Sequence, residues 1–423
     1  MIARITRFLT VTTLVTAGVS AATAPAQASS VTYRDPAVIT EWNAIAARTI
    51  YTENLTPIPP SGLYFGFVSI AVHDAVVAIE GGSTPYAHQP RASRGASSQI
   101  AAATAAHRVL ATYFPASATA LATDYAASLA KVPNGAAKTR GQQVGEAAAA
   151  SLIRLRQNDG RGATVPPLSA PAVGVWRPTP DAFAPMVTPW LGFVKPLALR
   201  SPTQIRLPGP DAVTSAKYAR DFAEVKAFGA LNGSSRTAWQ TETALFWNAN
   251  SVLQYQVALR DQVTRRGLDI QDSARAFALL GTSTADSLIS CWRAKYDDAY
   301  WRPITAIREA GSDGNPRTAP DPNWAPLLAT PPYPEYISGH ACITGVATET
   351  FSHLFGARSL NLDIFSSVTS TTRHYDRADM LDAETMNARI WLGFHFRTAM
   401  TDGNRMAHKV ARWTIRHYFA DHR

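Results

Sequence analysis

Three short stretches combine cationic side chains, histidine and glycine in patterns that suit the chemistry of an oxyanion. Lys295 and Arg302 are separated by six residues, and Pro303 follows at once. Seven steps along a helix rotate about 700°, which places the pair roughly 20° apart on one face and about 10 Å apart along it. Both side chains are long enough to converge on one ligand. Pro303 disfavours helical geometry at Arg302, so the helix is predicted to end there. The second stretch is Ser338-Gly339-His340. Serine is a good N-cap, glycine lets a ligand approach the backbone closely, and the free N–H groups of a helix start form an anion seat. His340, in the first turn, would stand beside that anion. The third stretch is Arg389-x5-His395. Six steps rotate 600°, leaving the two groups about 120° apart on a straight helix, and Gly393 between them permits a break. Taken singly, these are two surface cations, an ordinary cap and an uninformative spacing. Taken together they differ. Three cations within ~6 Å would repel by about 3 kcal/mol per pair at an effective dielectric of 20, so such a cluster needs a multiply charged anion at its centre.

The order Lys-x6-Arg-Pro, Ser-Gly-His, Arg-x5-His resembles the vanadium-dependent haloperoxidases and the related acid phosphatases of the type-2 phosphatidic acid phosphatase superfamily. The stretches Cys291–Tyr296, Trp301–Arg308 and Pro334–His340 resemble secreted bacterial haloperoxidase-like proteins. The resemblance is strong over roughly residues 210–420 and diffuse before them. It implies an all-α fold of two packed four-helix bundles with the oxyanion at one bundle's end. By the same resemblance Lys295, Arg302, Ser338, Gly339 and Arg389 would bind the non-axial oxygens of vanadate, and His395 would bond the vanadium. His340 would be the acid–base group, Lys295 would polarise the peroxide, and Trp292 and Tyr333 would flank the halide. Hydrogen peroxide, a halide and an organic acceptor are the implied partners. Two positions depart from the pattern. Ala399 stands where many relatives have an aspartate four residues after the second histidine, and Ile337 where proline commonly precedes Ser-Gly-His. Another group, such as a backbone carbonyl, must then fix the His395 tautomer. The same pocket also suits a secreted acid phosphatase, with His395 attacking phosphorus to form a phosphohistidine and His340 protonating the leaving oxygen. A non-catalytic anion-binding protein is the third reading.

These residues need a scaffold, and the rest of the chain outlines one. Arg4 and Arg7 precede an apolar run from Phe8 to about Ser20, with Ala26-Gln27-Ala28 behind it. This predicts a signal peptide over residues 1–28 and a secreted product. No later stretch looks long and apolar enough for a transmembrane anchor. The chain has 423 residues and a net charge of +9. That length exceeds a single core and predicts two packed sub-cores, divided as an N-terminal part over 29–210 and a C-terminal bundle over 211–423. The charge favours anionic ligands. No basic block carries interleaved aromatics, so nucleic acid is not an expected partner.

Alanine-rich helical patterns cover residues 29–160, including a buried helix around Gly62–Ile79 that contains His73-Asp74. Between Pro166 and Pro210 lie 11 of the 28 prolines, which prevents continuous helix. This segment is predicted to wrap over the bundle, join its halves and shape the pocket mouth. Helical periodicity resumes near Ser215, with Tyr218, Phe222 and Val225 on one stripe, and continues over roughly 236–262, 271–301, 338–356 and 382–420. A second proline-rich loop, 310–337, leads into Ser338. No convincing β-alternation is visible. His73, His107 and His353 read as packed or surface residues, and His408, His417 and His422 as part of a solvated basic helix. Asp286, Asp297 and Asp298 are the acids near the lysine, any of which could pair with a site cation. Cys291 and Cys342 are either a disulfide or two buried thiols. No His-Glu-x-x-His, Cys-x-x-Cys, Gly-x-Ser-x-Gly or P-loop pattern occurs.

Overall fold

Alanine and straight-chain residues lose little side-chain entropy in a helix, and helices make up most of the regular structure of the computed structural model. It describes residues 33–87, 92 and 95–422, and the predicted signal peptide lies outside them. The first half supplies α1 (Ala37–Ala47), α2 (Ile58–Glu80), α3 (Ser98–Tyr113), α4 (Ala118–Ala130) and α5 (Ala136–Leu155). The second supplies α6 (Ala216–Gly229), α7 (Ala238–Phe246), α8 (Ser251–Arg265), α9 (Ile270–Asp298), α10 (Pro303–Arg308), α11 (Gly339–Phe355), α12 (Ala378–Trp391) and α13 (Arg397–His417). Their starts are chemically marked. Ser97, Ser215, Thr237, Asn250, Asp269 and Ser338 each accept the amide N–H three residues on, which satisfies one of the otherwise unpaired donors of a first turn.

The frame of the molecule is the crossing of α2 with α9. A Cβ on Gly66 would come within 3.1 Å of the Gly281 carbonyl, and one on Gly281 within 2.4 Å of the Ser69 hydroxyl. Two glycines thus let the backbones approach more closely than side chains permit. At 23 residues, α2 is long and apolar enough to cross a membrane by length and composition, contrary to the sequence expectation that no such stretch follows the predicted signal peptide. Its apolarity has another cause here, since nearly all of it is buried by neighbouring helices. A continuous apolar cluster joins Trp42, Phe65, Leu280, Phe351 and Val410, so the segments before and after residue 210 share one interior.

The proline-rich segment is an ordered strap. Trp176 N–H donates to the Ala299 carbonyl, Trp301 N–H to that of Gly174, and Val187 N–H to that of Pro332. Asp286 does not pair with a site cation; its carboxylate accepts the backbone N–H groups of Leu197, Ala198 and Leu199. Asp297 pairs with Arg293 at 2.7 Å.

Several local expectations change. The periodic stretch 236–262 is two helices, broken at Trp247–Asn250, and 382–420 is also two, broken around Gly393. A β-hairpin is present: β1 (Leu362–Ser366) runs antiparallel to β2 (Thr371–Tyr375), with Leu362 opposite Tyr375. Its alternation lasts five residues on β1, too short to stand out beside the helical periodicity around it. His408 is not solvated. It turns inward between Glu349 at 2.7 Å and Asp382 at 2.8 Å.

Candidate oxyanion site

Each chemical stretch reaches the site through a break in helix. Lys295 lies in the last turn of α9, which stops at Asp298; Ala299 adopts a left-handed conformation (φ 43°). Arg302 is therefore not on the same helix face as Lys295. It has extended backbone (φ −80°, ψ 154°) and caps α10, the geometry that a following proline imposes. The turn at Ala299, rather than helical phase, brings the two cations together. Ser338 caps α11, and His340 stands in its first turn. Arg389 lies in the last turn of α12, and Gly393 (φ 80°) turns the chain so that His395 precedes α13.

The three cations are buried to 1% exposure or less, and backbone carbonyls hold them. Lys295 Nζ donates to Pro334 at 2.6 Å and Glu335 at 3.1 Å. Arg302 donates to the carbonyls of Tyr333, Phe394 and Pro331 at 2.8, 2.8 and 3.3 Å. Arg389 donates to the Trp247 carbonyl at 3.2 Å, and its Nε meets no hydrogen-bond partner among the described residues. Burial, with the neighbouring positive charges, lowers Lys295 to about 8 and Arg389 to about 10. His395 Nε2 lies 3.3 Å from Arg302 Nη1. Burial and then Arg302, Lys295 and Arg389 hold this imidazole well below its ordinary pKa. His340 is half-buried, with Nε2 3.4 Å from the Ala249 carbonyl. Burial and Arg389 lower it as well, so both rings are neutral near pH 7.

Trp292 and Tyr333 form one wall. Their ring centroids are 5.2 Å apart. Trp292 donates its Nε1–H to the Val187 carbonyl on the strap, and its ring edge lies 3.5 Å from where a Gly339 Cβ would be. The structure thus brings together Lys295, Arg302, Arg389, Ser338, Gly339, His340, His395, Trp292 and Tyr333. Cys291 and Cys342, beside the lysine and the helix start, are buried and free.

Two parts of the site escaped the sequence. The α7–α8 connection, hidden inside an apparently continuous helical pattern, supplies the carbonyls that face Arg389 and His340. Glu335 is the buried carboxylate of the cluster: its Oε1 lies 2.9 Å from His395 Nδ1. Burial raises Glu335 to about 8 against the pull of Arg302 and Lys295. The visible signal was a lone acid inside the proline-rich run five residues before His340.

Glu335 could not balance three buried cations even when ionised, and Arg389 Nε has no acceptor among the described residues. Both observations fit a multivalent oxyanion such as vanadate or phosphate. Fold and site together define a helical-bundle protein that gathers cations and two imidazoles at one bundle end. Residues 275–421 match the VCPO second helical-bundle domain. A vanadium chloroperoxidase from Curvularia inaequalis is 26% identical over 231 residues, a match spanning 40% of this chain and only 37% of that protein. A bacterial vanadium-dependent iodoperoxidase superposes with a TM-score of 0.79 at 20% identity, covering 91% of this chain and 97% of that one. The apo form of a bacterial vanadium-dependent chloroperoxidase gives 0.68 at 17% identity, covering 88% and 98%. The chain is thus similar to the vanadium haloperoxidases in its second helical-bundle domain and in its overall fold.

Proposed function

We propose that the protein is a secreted vanadium-dependent haloperoxidase, which uses vanadate and hydrogen peroxide to oxidise a halide to a hypohalous-acid equivalent. The observation that carries this reading is the set of three buried cations with a single acidic side chain, Glu335, against them, arranged beside two imidazoles. Lys295, Arg302, Arg389, Ser338 and Gly339 would hold the oxygens of the anion, and His395 would offer Nε2 to its central atom. Vanadate, when bound, supplies a Lewis-acidic centre that activates peroxide without an external reductant. His340 accepts a proton from the incoming peroxide, a role suited to a neutral ring on the more open side of the site. Lys295 withdraws electron density from the reacting oxygen, and Trp292 and Tyr333 line the place of the halide. Loading the purified protein with orthovanadate and measuring halogenation with iodide, bromide and chloride tests the reading. Absence of turnover with all three refutes it. Export is tested by sequencing the N-terminus of protein recovered from the medium.

A phosphomonoesterase is the second reading, favoured by the contact between Glu335 and His395 Nδ1, which leaves Nε2 free to attack phosphorus. Hydrolysis of a chromogenic phosphate ester, inhibited by vanadate and abolished in His395→Ala, would displace the first reading.

A further inference from the structure

Glu335 is 1% exposed and is held at every polar group that the structure pairs. Its N–H donates to the Tyr300 carbonyl at 2.9 Å, and its carbonyl accepts the Lys295 ammonium at 3.1 Å. Its side-chain Oε1 accepts the Phe396 N–H at 3.0 Å and lies 2.9 Å from His395 Nδ1. A carboxylate is costly to bury, and one retained at this depth must satisfy specific donors.

The geometry fixes where the imidazole proton sits. An amide N–H can only donate, so Oε1 is an acceptor toward Phe396. The oxygen of a carboxyl group that accepts an amide is the carbonyl or carboxylate oxygen, since the hydroxyl oxygen is a poor acceptor. The ring nitrogen facing the same atom is therefore the donor, and Nδ1 carries the proton. The other side of the ring requires the same state. Arg302 Nη1 has only protons to offer, so Nε2, 3.3 Å away, presents a lone pair. A flipped ring would put carbons at both contacts and lose them.

The position four residues after His395 is filled by Ala399, buried to 1%, whose carbonyl accepts the Ser338 N–H at 3.2 Å. The start of α13 is thus used to seat the α11 cap, and the carboxylate reaches His395 from a different segment. That segment is the loop that presents His340.

We infer that Glu335 is the positioning residue of His395: it holds the ring as the Nδ1–H tautomer, offers Nε2 to the bound oxyanion, and ties both imidazoles to one loop. The inference rests on the proposed function only in taking an oxyanion as what Nε2 meets. It holds for vanadate and phosphate chemistry alike, because both need an unprotonated nitrogen facing the anion.

The test uses the anion-free protein with ring-15N-labelled histidine. In the wild type, His395 is expected to be neutral near pH 7 with Nδ1 protonated. Glu335→Gln keeps this pattern, because the Phe396 N–H holds the amide oxygen in the Oε1 position. Glu335→Ala loses it, giving mixed or Nε2–H resonances. Orthovanadate affinity, measured by calorimetry, should fall about 10- to 100-fold in Glu335→Ala and by less than about tenfold in Glu335→Gln, with anion-free circular dichroism unchanged. A wild-type proton on Nε2 overturns the inference, and needs no variant to fold. Unchanged His395 resonances in Glu335→Ala overturn it too, even where halogenation is active. A tautomer that depends on Glu335, in a protein that oxidises no halide, upholds the inference while the haloperoxidase reading fails.

Discussion

The ammonium of Lys295 lies 4.8 Å from the ring centroid of Tyr333, and the Arg302 guanidinium lies 4.7 Å from the same ring. One aromatic ring thus meets two buried like charges and stabilises both through its quadrupole. Its loss should be felt as anion affinity. Cation–π contacts contribute roughly 0.5–2 kcal/mol each, so Tyr333→Ala is expected to weaken orthovanadate binding about tenfold or more. Tyr333→Phe, which keeps the ring, should change it less than about threefold. Equal losses in the two variants, read by calorimetry, would show that the hydroxyl matters and the ring face does not.

Arg389 tests the electrostatic logic of the site. Its guanidinium is buried with an Nε that has no partner among the described residues, and the charge of Arg302 opposes its own. Arg389→Met should therefore melt at or above the wild type when no anion is present. Orthovanadate at ~100 times its dissociation constant should stabilise the wild type by about 2.7 kcal/mol, and the variant should lose most of that gain. Thermal scans with and without the anion read both effects. A variant that is less stable alone yet equally rescued by vanadate would mean that Arg389 serves packing rather than the ligand.

The chemical residues were legible because their types and order carry the information, whereas their geometry was not. Lys295 and Arg302 suggested a shared helix face, but α9 ends at Asp298 and a left-handed Ala299 redirects the chain. Alanine has no intrinsic reason to adopt that conformation, so nothing local announces the turn; it is held by the strap through Trp176 and Gly174. Gly393 was visible as a break because glycine alone has that freedom. Glu335 was hidden by its neighbours, since an acid in a proline-rich run reads as solvated loop until tertiary contacts bury it. The β-hairpin failed to register for a similar reason, as one face of β2 packs little and leaves weak alternation.

Gly393 sets the angle between Arg389 and His395, and substitution there should harm stability and binding together. Its φ is 80°, and an added Cβ would meet the Gly229 carbonyl at 2.7 Å and Pro326 Cβ at 2.8 Å. Left-handed strain and overpacking together predict a loss of roughly 3 kcal/mol for Gly393→Ala. Urea unfolding should show a lower midpoint at an unchanged slope. Vanadate affinity should fall under conditions where the variant is still fully folded. A stable variant with wild-type affinity would mean that the break between α12 and α13 tolerates repacking.

His408 gives the fold a pH dependence of its own, away from the site. It sits on α13 between Asp382 of α12 and Glu349 of α11, and Arg412 pairs with the same glutamate. Burial alone would lower its pKa, but the hydrogen bonds it donates to Asp382 and Glu349 outweigh burial and raise it to about 9. Glu349 is held down at about 2: burial opposes this, and His408 and Arg412 prevail. The acid therefore stays charged across the range in question. A group whose folded pKa exceeds its unfolded value of about 6.5 stabilises the fold fully below that value, and the contribution disappears as pH rises through the folded pKa. With the ring 19% exposed, the shift corresponds to roughly 3 kcal/mol. The stability gap between wild type and His408→Ala should be largest near about pH 6 and should shrink steadily toward about pH 9.5. Urea midpoints measured across that window decide the matter. A gap that stays constant would mean that the imidazole joins the three helices as a neutral hydrogen-bonding group, with no ion pair involved.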